Sequence, residues 1–191
     1  ECPAAQTCCG QPMANTGCTA DARPLALRFF EIFREYSKAV NDQSANLAKL
    51  RVLFIGNLRP DKGYIDLLEA GSVLRSRKLE LDLTLAGGVS DRRAHEAVLA
   101  RMSSMDHVRF TGPLSAHDRD ALLREADVLV LPSRDEAHPL VVLEAMSAGV
   151  PVVATRHSTL PETVIEEETG ILVDVGRPDQ IATALERLVD P

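Results

Sequence analysis

Lys62 has a residue type and a position in the chain that suit the binding of an anion. It precedes Gly63, where a helical stretch begins, and it closes a segment that starts at Gly56. The ammonium group and the positive end of the helix dipole would both attract a phosphate there. The glycines would let the backbone turn tightly out of a strand and into a helix. A solvated lysine in a turn is the alternative interpretation of this spacing.

Two glutamates further along, Glu136 and Glu144, have seven residues between them. Glu144 lies between Leu143 and Ala145, in a helical stretch that is apolar nearly all round. Because removing a lone carboxylate from water is costly, Glu144 is expected to meet a partner or a ligand. The hydroxyl groups of a ribose are suitable donors to it. An ion pair with an arginine is the alternative.

The start of the same helical stretch offers a second place for an anion. The backbone amides near Pro139, Leu140 and Val141 have no acceptor within a helix that begins there. Such free amides, together with the helix dipole, favour a phosphate group. The sequence therefore predicts a second anion site at the start of this helix.

The apolar pattern indicates which elements position these residues. Six short apolar runs, most of them continuous, alternate with helical stretches, which is typical of strands covered on both faces of a parallel sheet. The sequence predicts a doubly wound α/β fold with strands at 52–55, 81–86, 108–111, 128–131, 152–154 and 171–173. The expected buried stripes of the helices include Leu67, Leu68 and Leu74, then Val98, Leu99 and Met102, and later Leu140, Leu143 and Ala148.

Ligands of such a sheet bind beyond the carboxyl ends of its strands. The loops expected to carry the chemistry are loop 1 (residues 56–63), loop 2 (87–91), loop 3 (112–115), loop 4 (132–139) and loop 5 (155–161). Loop 1 lacks the spacing of a Walker phosphate-binding loop, and no strand is followed by the dinucleotide-binding glycine pattern. Gly87 and Gly88 alone are weak evidence for a dinucleotide.

The composition narrows the function classes. The 191 residues carry a net charge of −7, which disfavours binding to nucleic acid or to an anionic membrane surface. No apolar run approaches the ~20 residues of a membrane span, and the first residues lack the pattern of a signal peptide. All four cysteines fall within the first eighteen residues, so no disulfide framework spreads over the fold and a cytoplasmic protein is expected.

The motifs together resemble those of family-four glycosyltransferases with the GT-B fold. The resemblance covers about residues 50–190 and rests on ordered segments: 56–58, Lys62 with Gly63, 132–133, Glu136 to Glu144 with the two residues after it, 149–155, 161–162 and Gly170. It implies a Rossmann-like domain, the C-terminal half of GT-B, which binds a nucleotide-diphosphate sugar. The sugar is a substrate, and neither a cofactor nor a metal is implied.

The resemblance also implies a role for each site residue. Lys62 would hold the diphosphate, Glu136 would contact the donor sugar, and Glu144 would take the ribose hydroxyls, so that Lys62 and Glu136 are the expected catalytic residues. The expected donor-binding set is Gly56, Asn57, Lys62, Gly63, Gly87, Glu136, His138, Pro139, Leu140, Val141 and Glu144. The implied reaction retains the configuration of the sugar, and electrostatic stabilisation of the leaving diphosphate drives it.

Three departures from the family pattern stand out. Asn57 replaces the usual arginine of loop 1, so one diphosphate cation is absent. His138 and Pro139 replace a Phe-Gly pair, where His138 either reaches a sugar hydroxyl or phosphate or packs the loop. The N-terminal domain that binds the acceptor in the family has no counterpart here, which predicts an incomplete catalyst.

Residues 1–49 have a different character. Their segment from Gln6 to Gly17, with Cys8, Cys9 and Gly10, resembles the CCG segment of cysteine-rich iron–sulfur oxidoreductases of the lactate-utilisation and heterodisulfide-reductase type. A helix at 21–40 and a linker at 41–49 follow, which predicts two units, 1–49 and 50–191. An iron–sulfur electron-transfer fragment and a chimeric fold without activity are therefore the alternative functions.

Overall fold

The computed structural model of the chain describes residues 49–89, 92–102, 105–137 and 139–189. The predicted helix at 21–40, the four cysteines and His138 lie outside these ranges. The predicted boundary between residues 49 and 50 therefore stays a prediction.

The described residues form alternating strands and helices, as the apolar pattern predicts. The strands are β1 (Leu50–Ile55), β2 (Leu81–Ala86), β3 (Val108–Gly112), β4 (Val128–Leu131), β5 (Val152–Thr155) and β6 (Ile171–Val173). The helices are α1 (Tyr64–Ser76), α2 (Arg92–Met102), α3 (Ala116–Glu125), α4 (Leu140–Ser147), α5 (Leu160–Thr163) and α6 (Pro178–Val189), with a 3₁₀ turn at Pro60–Lys62 before α1.

All six strands lie in one parallel sheet with the order β3-β2-β1-β4-β5-β6. The chain builds outward from β1 to β3, then returns to β4 and builds outward in the other direction. The reversal falls between β1 and β4, which pair through Val52 with Val128 and Leu53 with Leu129. The predicted doubly wound, Rossmann-like α/β fold is confirmed, and this switch point is where such folds bind ligands.

Burial explains why the continuous apolar runs form the centre of the sheet. Every residue of β4 and β5 is buried, since helices cover both faces there. Helix α1 packs on α6 and β2, α3 packs on β1, and α4 packs on β4 and β5. These contacts bury the apolar side of each helix, including Leu67, Leu68 and Leu74 of α1.

Two predicted helical stripes are wrong in part. Leu99 of α2 is 44% exposed, whereas Val98 and Met102 are buried as expected. In α4, Leu143 is buried as expected, but Leu140 is 65% exposed and Ala148 is exposed, and the other buried residues are Val142 and Ala145. The first turn of α4 lies at the open carboxyl edge of the sheet, so an apolar residue there has no layer to pack against.

Two glycines let the loops at that edge approach one another closely. Gly63 has φ 71°, and a Cβ atom there would lie 1.9 Å from the carbonyl oxygen of Pro132. Gly87 has φ 143°, and its Cβ atom would lie 2.0 Å from the carbonyl oxygen of Gly56. Only glycine tolerates both the backbone angle and the contact, so loops 1, 2 and 4 are held side by side.

Candidate functional site

Loops 1 and 4 leave the sheet from β1 and β4, the two strands on either side of the switch point. Their backbones are joined directly, because the amide of Arg134 donates to the carbonyl of Asp61 at 2.7 Å. Gly63 allows this approach beside Pro132. Two loops that are far apart in sequence are thus in direct contact at the carboxyl edge of the sheet.

Lys62 and Glu136 meet across these loops. The Lys62 Nζ lies 2.9 Å from the Glu136 Oε1 and donates to the carbonyl of Asp135, also at 2.9 Å. The side chains are 22% and 13% exposed, so the pair is partly buried but still reachable from solvent. A cation and a carboxylate in this setting can act on an anionic ligand and on its hydroxyl groups.

Hydrogen bonds from several hydroxyl groups hold Glu136 in place, and its position in the sequence does not indicate them. The hydroxyl of Ser133 donates to Glu136 Oε1 at 2.8 Å. The hydroxyls of Ser158 and Thr159 in loop 5 both donate to the Glu136 carbonyl at 2.7 Å. The buried Thr155 hydroxyl donates to the Ser133 carbonyl. These hydroxyls fix both the side chain and the backbone of Glu136.

Sequence reasoning placed loop 5 at the ligand edge but singled out none of its hydroxyl residues. The available signal was the density of Ser and Thr directly after β5, because such side chains bond readily to nearby backbone groups. Ser133 lies in one of the segments that carry the family resemblance, but its bond to Glu136 depends on the conformation of loop 4, which the sequence does not report.

Glu144 has a protein partner in the structure. The Arg119 Nη2 on α3 lies 3.1 Å from the Glu144 Oε1 on α4, with the side chains 39% and 31% exposed. Glu144 is expected to meet a partner or a ligand, and in the structure its partner is Arg119. The alternative interpretation, an ion pair with an arginine, therefore describes this structure. The pair is not sealed, since nearly a third of the Glu144 side chain faces solvent.

Loop 2 packs against loop 1 rather than forming a separate site. The amide of Leu58 donates to the Gly88 carbonyl at 2.7 Å, and the amide of Gly87 donates to the Gly112 carbonyl at 2.9 Å. Asn57 is exposed, and a Cβ atom on Gly88 would lie 3.1 Å from its side-chain oxygen. The expected residues Gly56, Asn57, Gly63 and Gly87 therefore line one continuous edge.

The first turn of α4 begins at Pro139, which is buried and whose side chain makes no capping hydrogen bond. Its carbonyl accepts from the amide of Val142 at 2.9 Å. Leu140 is exposed and Val141 is half-buried, so this turn faces the open edge. His138, the residue before it, lies outside the described ranges.

Asp118, which precedes Arg119 in the first turn of α3, has a pKa below its ordinary value. The Ser115 hydroxyl donates to Asp118 Oδ2 at 2.7 Å and accepts from the Asp118 amide at 3.1 Å. The hydrogen bond from Ser115 holds the pKa of Asp118 below its ordinary value. This capping arrangement fixes the start of the helix that carries Arg119.

A cavity of about 320 Å³ lies elsewhere, at the amino-terminal ends of the strands. Its lining includes the first residues of β1, β2 and β3 and the last turn of α3, among them Arg51, Asp82, Arg109 and Glu125. It belongs to the opposite end of the sheet from loops 1 and 4. Within the described ranges, no group of three His, Cys, Asp or Glu side chains is placed to hold a metal ion, and no helix is long and apolar enough to cross a membrane.

The fold and the loops at its carboxyl edge define a Rossmann-like α/β domain of the GT-B type. Residues 37–190 match the family model described as glycosyl transferases group 1. The chain belongs to this family.

Similar proteins agree with that assignment. A D-inositol 3-phosphate glycosyltransferase of Arthrobacter sp. (strain FB24) is 35% identical over 166 residues, which are 85% of this chain and 39% of that protein. The chain thus spans well under half the length of this relative. The Anabaena protein HepE, solved in complex with UDP-glucose, superposes with a TM-score of 0.66 at 20% identity over 84% of this chain and 45% of that one.

A third similar structure is that of an isolated domain. The C-terminal domain of the glycosyl transferase group 1 family protein LpcC from Francisella tularensis superposes with a TM-score of 0.65 at 24% identity. The match covers 78% of this chain and 80% of that domain. The described fold therefore corresponds to four fifths of that C-terminal domain.

Proposed function

We propose that this domain binds the nucleoside diphosphate part of a sugar donor at the crevice between β1 and β4, as the donor half of a retaining glycosyltransferase. The observation that carries the proposal is the Lys62–Glu136 pair, 2.9 Å apart at the switch point of the sheet. Membership of the glycosyl transferases group 1 family and the UDP-glucose bound by HepE support it.

Each group has a task in this proposal. Lys62 neutralises the diphosphate, and it stabilises the charge that develops when the bond from the anomeric carbon to the diphosphate oxygen breaks and the diphosphate leaves with the electron pair. Glu136 accepts hydrogen bonds from the donor sugar, with its geometry set by Ser133 and loop 5. Glu144 receives the ribose hydroxyls once Arg119 releases it.

The backbone completes the donor site. Amides at Leu140 and Val141, at the start of α4, add hydrogen bonds to the diphosphate. Gly56, Gly63 and Gly87 let the ligand approach the backbone, and Asn57, Pro139 and His138 border it. We propose that the acceptor binds to a separate N-terminal domain, as in the family. The cytoplasmic location stays a prediction.

Calorimetric titration of the whole chain with UDP, GDP and ADP tests the proposal. One of the three is expected to bind, and Lys62→Ala should raise its Kd roughly 10-fold to 100-fold, because a charge-assisted contact contributes about 1.5–3 kcal/mol. Lys49→Ala is the matched control, since Lys49 forms an exposed ion pair with Asp82 beside β1 and β2. Absence of binding by all three nucleotides at about 1 mM rejects the proposed function.

The iron–sulfur alternative concerns cysteines outside the described ranges, and all four precede the segment matched by the family model. It stays a prediction. Anaerobic purification followed by iron analysis and an absorbance scan near about 400 nm decides it, since a cluster held by thiolates brings both iron and colour. A colourless, iron-free protein excludes it.

A further inference from the structure

Arg134 reaches from loop 4 to loop 1 and to the helix that follows it. Its Nη1 donates to the Pro60 carbonyl at 3.2 Å, and its amide donates to the Asp61 carbonyl at 2.7 Å. Its Nη2 lies 3.0 Å from the Asp66 Oδ2 in the first turn of α1. A single residue thus contacts the backbone before Lys62 and the helix after it.

The Asp66 end of this arrangement is buried. The Asp66 side chain is 10% exposed, and Arg134 supplies the cation in contact with it. Since a buried carboxylate without a partner is costly, Asp66 in turn holds the guanidinium in place. The arginine is 41% exposed, so it spans from the interior of the loop pair to its surface.

The Lys62 side chain extends the other way, from loop 1 to loop 4. It leaves loop 1 and contacts the Asp135 carbonyl and the Glu136 carboxylate in loop 4. Arg134 leaves loop 4, two residues before Glu136, and contacts loop 1 before Lys62 and helix α1 after it. The two cations therefore cross-link the same pair of loops from opposite ends.

We propose that Arg134 is a positioning residue of the donor site, in that its contacts with Pro60, Asp61 and Asp66 set the spacing at which Lys62 meets Glu136. The part of this proposal that concerns the ligand rests on the proposed function. Lysine cannot replace it, because two different nitrogens of the planar guanidinium reach a carbonyl and a carboxylate at once. Arg134 itself touches no reacting atom in this proposal.

The first experiment measures nucleotide affinity by calorimetry, with the whole chain, for Arg134→Ala, Arg134→Lys and Asp66→Asn. Each should raise the Kd of the bound nucleotide by roughly ten-fold or more, because a displaced ligand-binding group loses much of its effect. Arg187→Ala is the control, since Arg187 forms an exposed ion pair with Glu167 at 2.8 Å on the helix α6 side. A lowered melting temperature with unchanged Kd, or full rescue by lysine, overturns the proposal.

The second experiment needs no ligand, so it separates this inference from the proposed function. Urea unfolding of Lys62→Met, Glu136→Gln and the double variant gives the coupling between the two residues. That coupling should be present with Arg134 and lost in the Arg134→Lys background, which preserves the charge and most of the packing. An undiminished coupling overturns the positioning role, even if the nucleotide binds. If no nucleotide binds but the coupling is lost, only the proposed function fails.

Discussion

The Arg119 Nη2 on α3 lies 3.1 Å from the Glu144 Oε1 on α4, and this ion pair joins the two helices. The Glu144 Oε2 and the Arg119 Nε are buried and have no hydrogen-bond partner within the part of the chain that the structure describes. Buried polar atoms without partners cost about 1–3 kcal/mol each. A ligand that offered hydrogen bonds to both oxygens of Glu144 could therefore replace Arg119 as its partner.

Replacing Arg119 should strengthen the binding of a ribonucleotide. In the proposed donor site Arg119 competes with the ribose for Glu144. Arg119→Met removes this cation, so we expect the Kd of the preferred nucleoside diphosphate to fall by roughly 3-fold to 10-fold. The analogue lacking both ribose hydroxyls should bind equally to the parent and the variant. Calorimetry with both nucleotides measures this. A weaker ribonucleotide complex in Arg119→Met contradicts the competition and makes Arg119 a ligand-binding residue.

Gly63→Ala should be strongly destabilising. The added methyl group would lie 1.9 Å from the Pro132 carbonyl oxygen, at a φ of 71°. We expect a loss of about 3 kcal/mol or more in the free energy of unfolding, measured in urea. Gly112→Ala is the matched control, since Gly112 has φ 74° but no atom within 4 Å of its Cβ position. Its cost should stay near the backbone penalty of about 1–2 kcal/mol. Equal losses for the two variants would show that the loop contact is unimportant.

Ser158 and Thr159 should act redundantly on Glu136, because both hydroxyls donate to the same carbonyl at 2.7 Å. Ser158→Ala and Thr159→Val should each change nucleotide affinity by less than about two-fold, because the other hydroxyl remains. The double variant should lower affinity by roughly ten-fold. Strictly additive effects, measured by the same titration, argue against a shared role in fixing Glu136.

The Ser115–Asp118 cap should make α3 sensitive to acid. The hydrogen bond from Ser115 lowers the pKa of Asp118 from its ordinary 3.8, so ionised Asp118 contributes stability above that pH and loses it as the pH falls through the lowered value. Asp118→Ala should lower the melting temperature at neutral pH. The difference from the parent protein should shrink as the pH falls well below 3.8, where Asp118 of the parent becomes protonated. Asp120→Ala, at an exposed position of the same helix, is the control. Melting curves whose separation does not change with pH contradict the cap.

The sequence predicts the sheet well because each strand carries its own signal. The run Val128–Leu131 is apolar at every position and is buried at every position. The sequence also predicts which loops meet at the carboxyl edge, because the carboxyl ends of parallel strands lie at the same edge of the sheet. The close approach of Lys62 and Glu136 is consistent with this, although the residues are 74 positions apart.

The contacts between helices could not be predicted in the same way. The pairing of Arg119 with Glu144 depends on how α3 and α4 lie relative to one another, which no periodicity within either helix reports. The exposure of Leu140 has a similar origin, because a helical stripe indicates the apolar side but not where the neighbouring layer ends. The links from Arg134 to Pro60 and Asp66 likewise needed the conformation of two loops.

The pairing of β1 with β4 has a consequence for synthesis of the chain. A nascent polypeptide that has left the ribosome only as far as β3 already exposes Lys62, but its carboxylate partner Glu136, which follows β4, has not yet emerged. The Lys62–Glu136 pair therefore forms late, when the strand from Val128 to Leu131 joins β1 and closes the sheet in the middle. A prematurely terminated product that lacks this strand would lack the pair, and under the proposed function it would not compete with the intact protein for ligand.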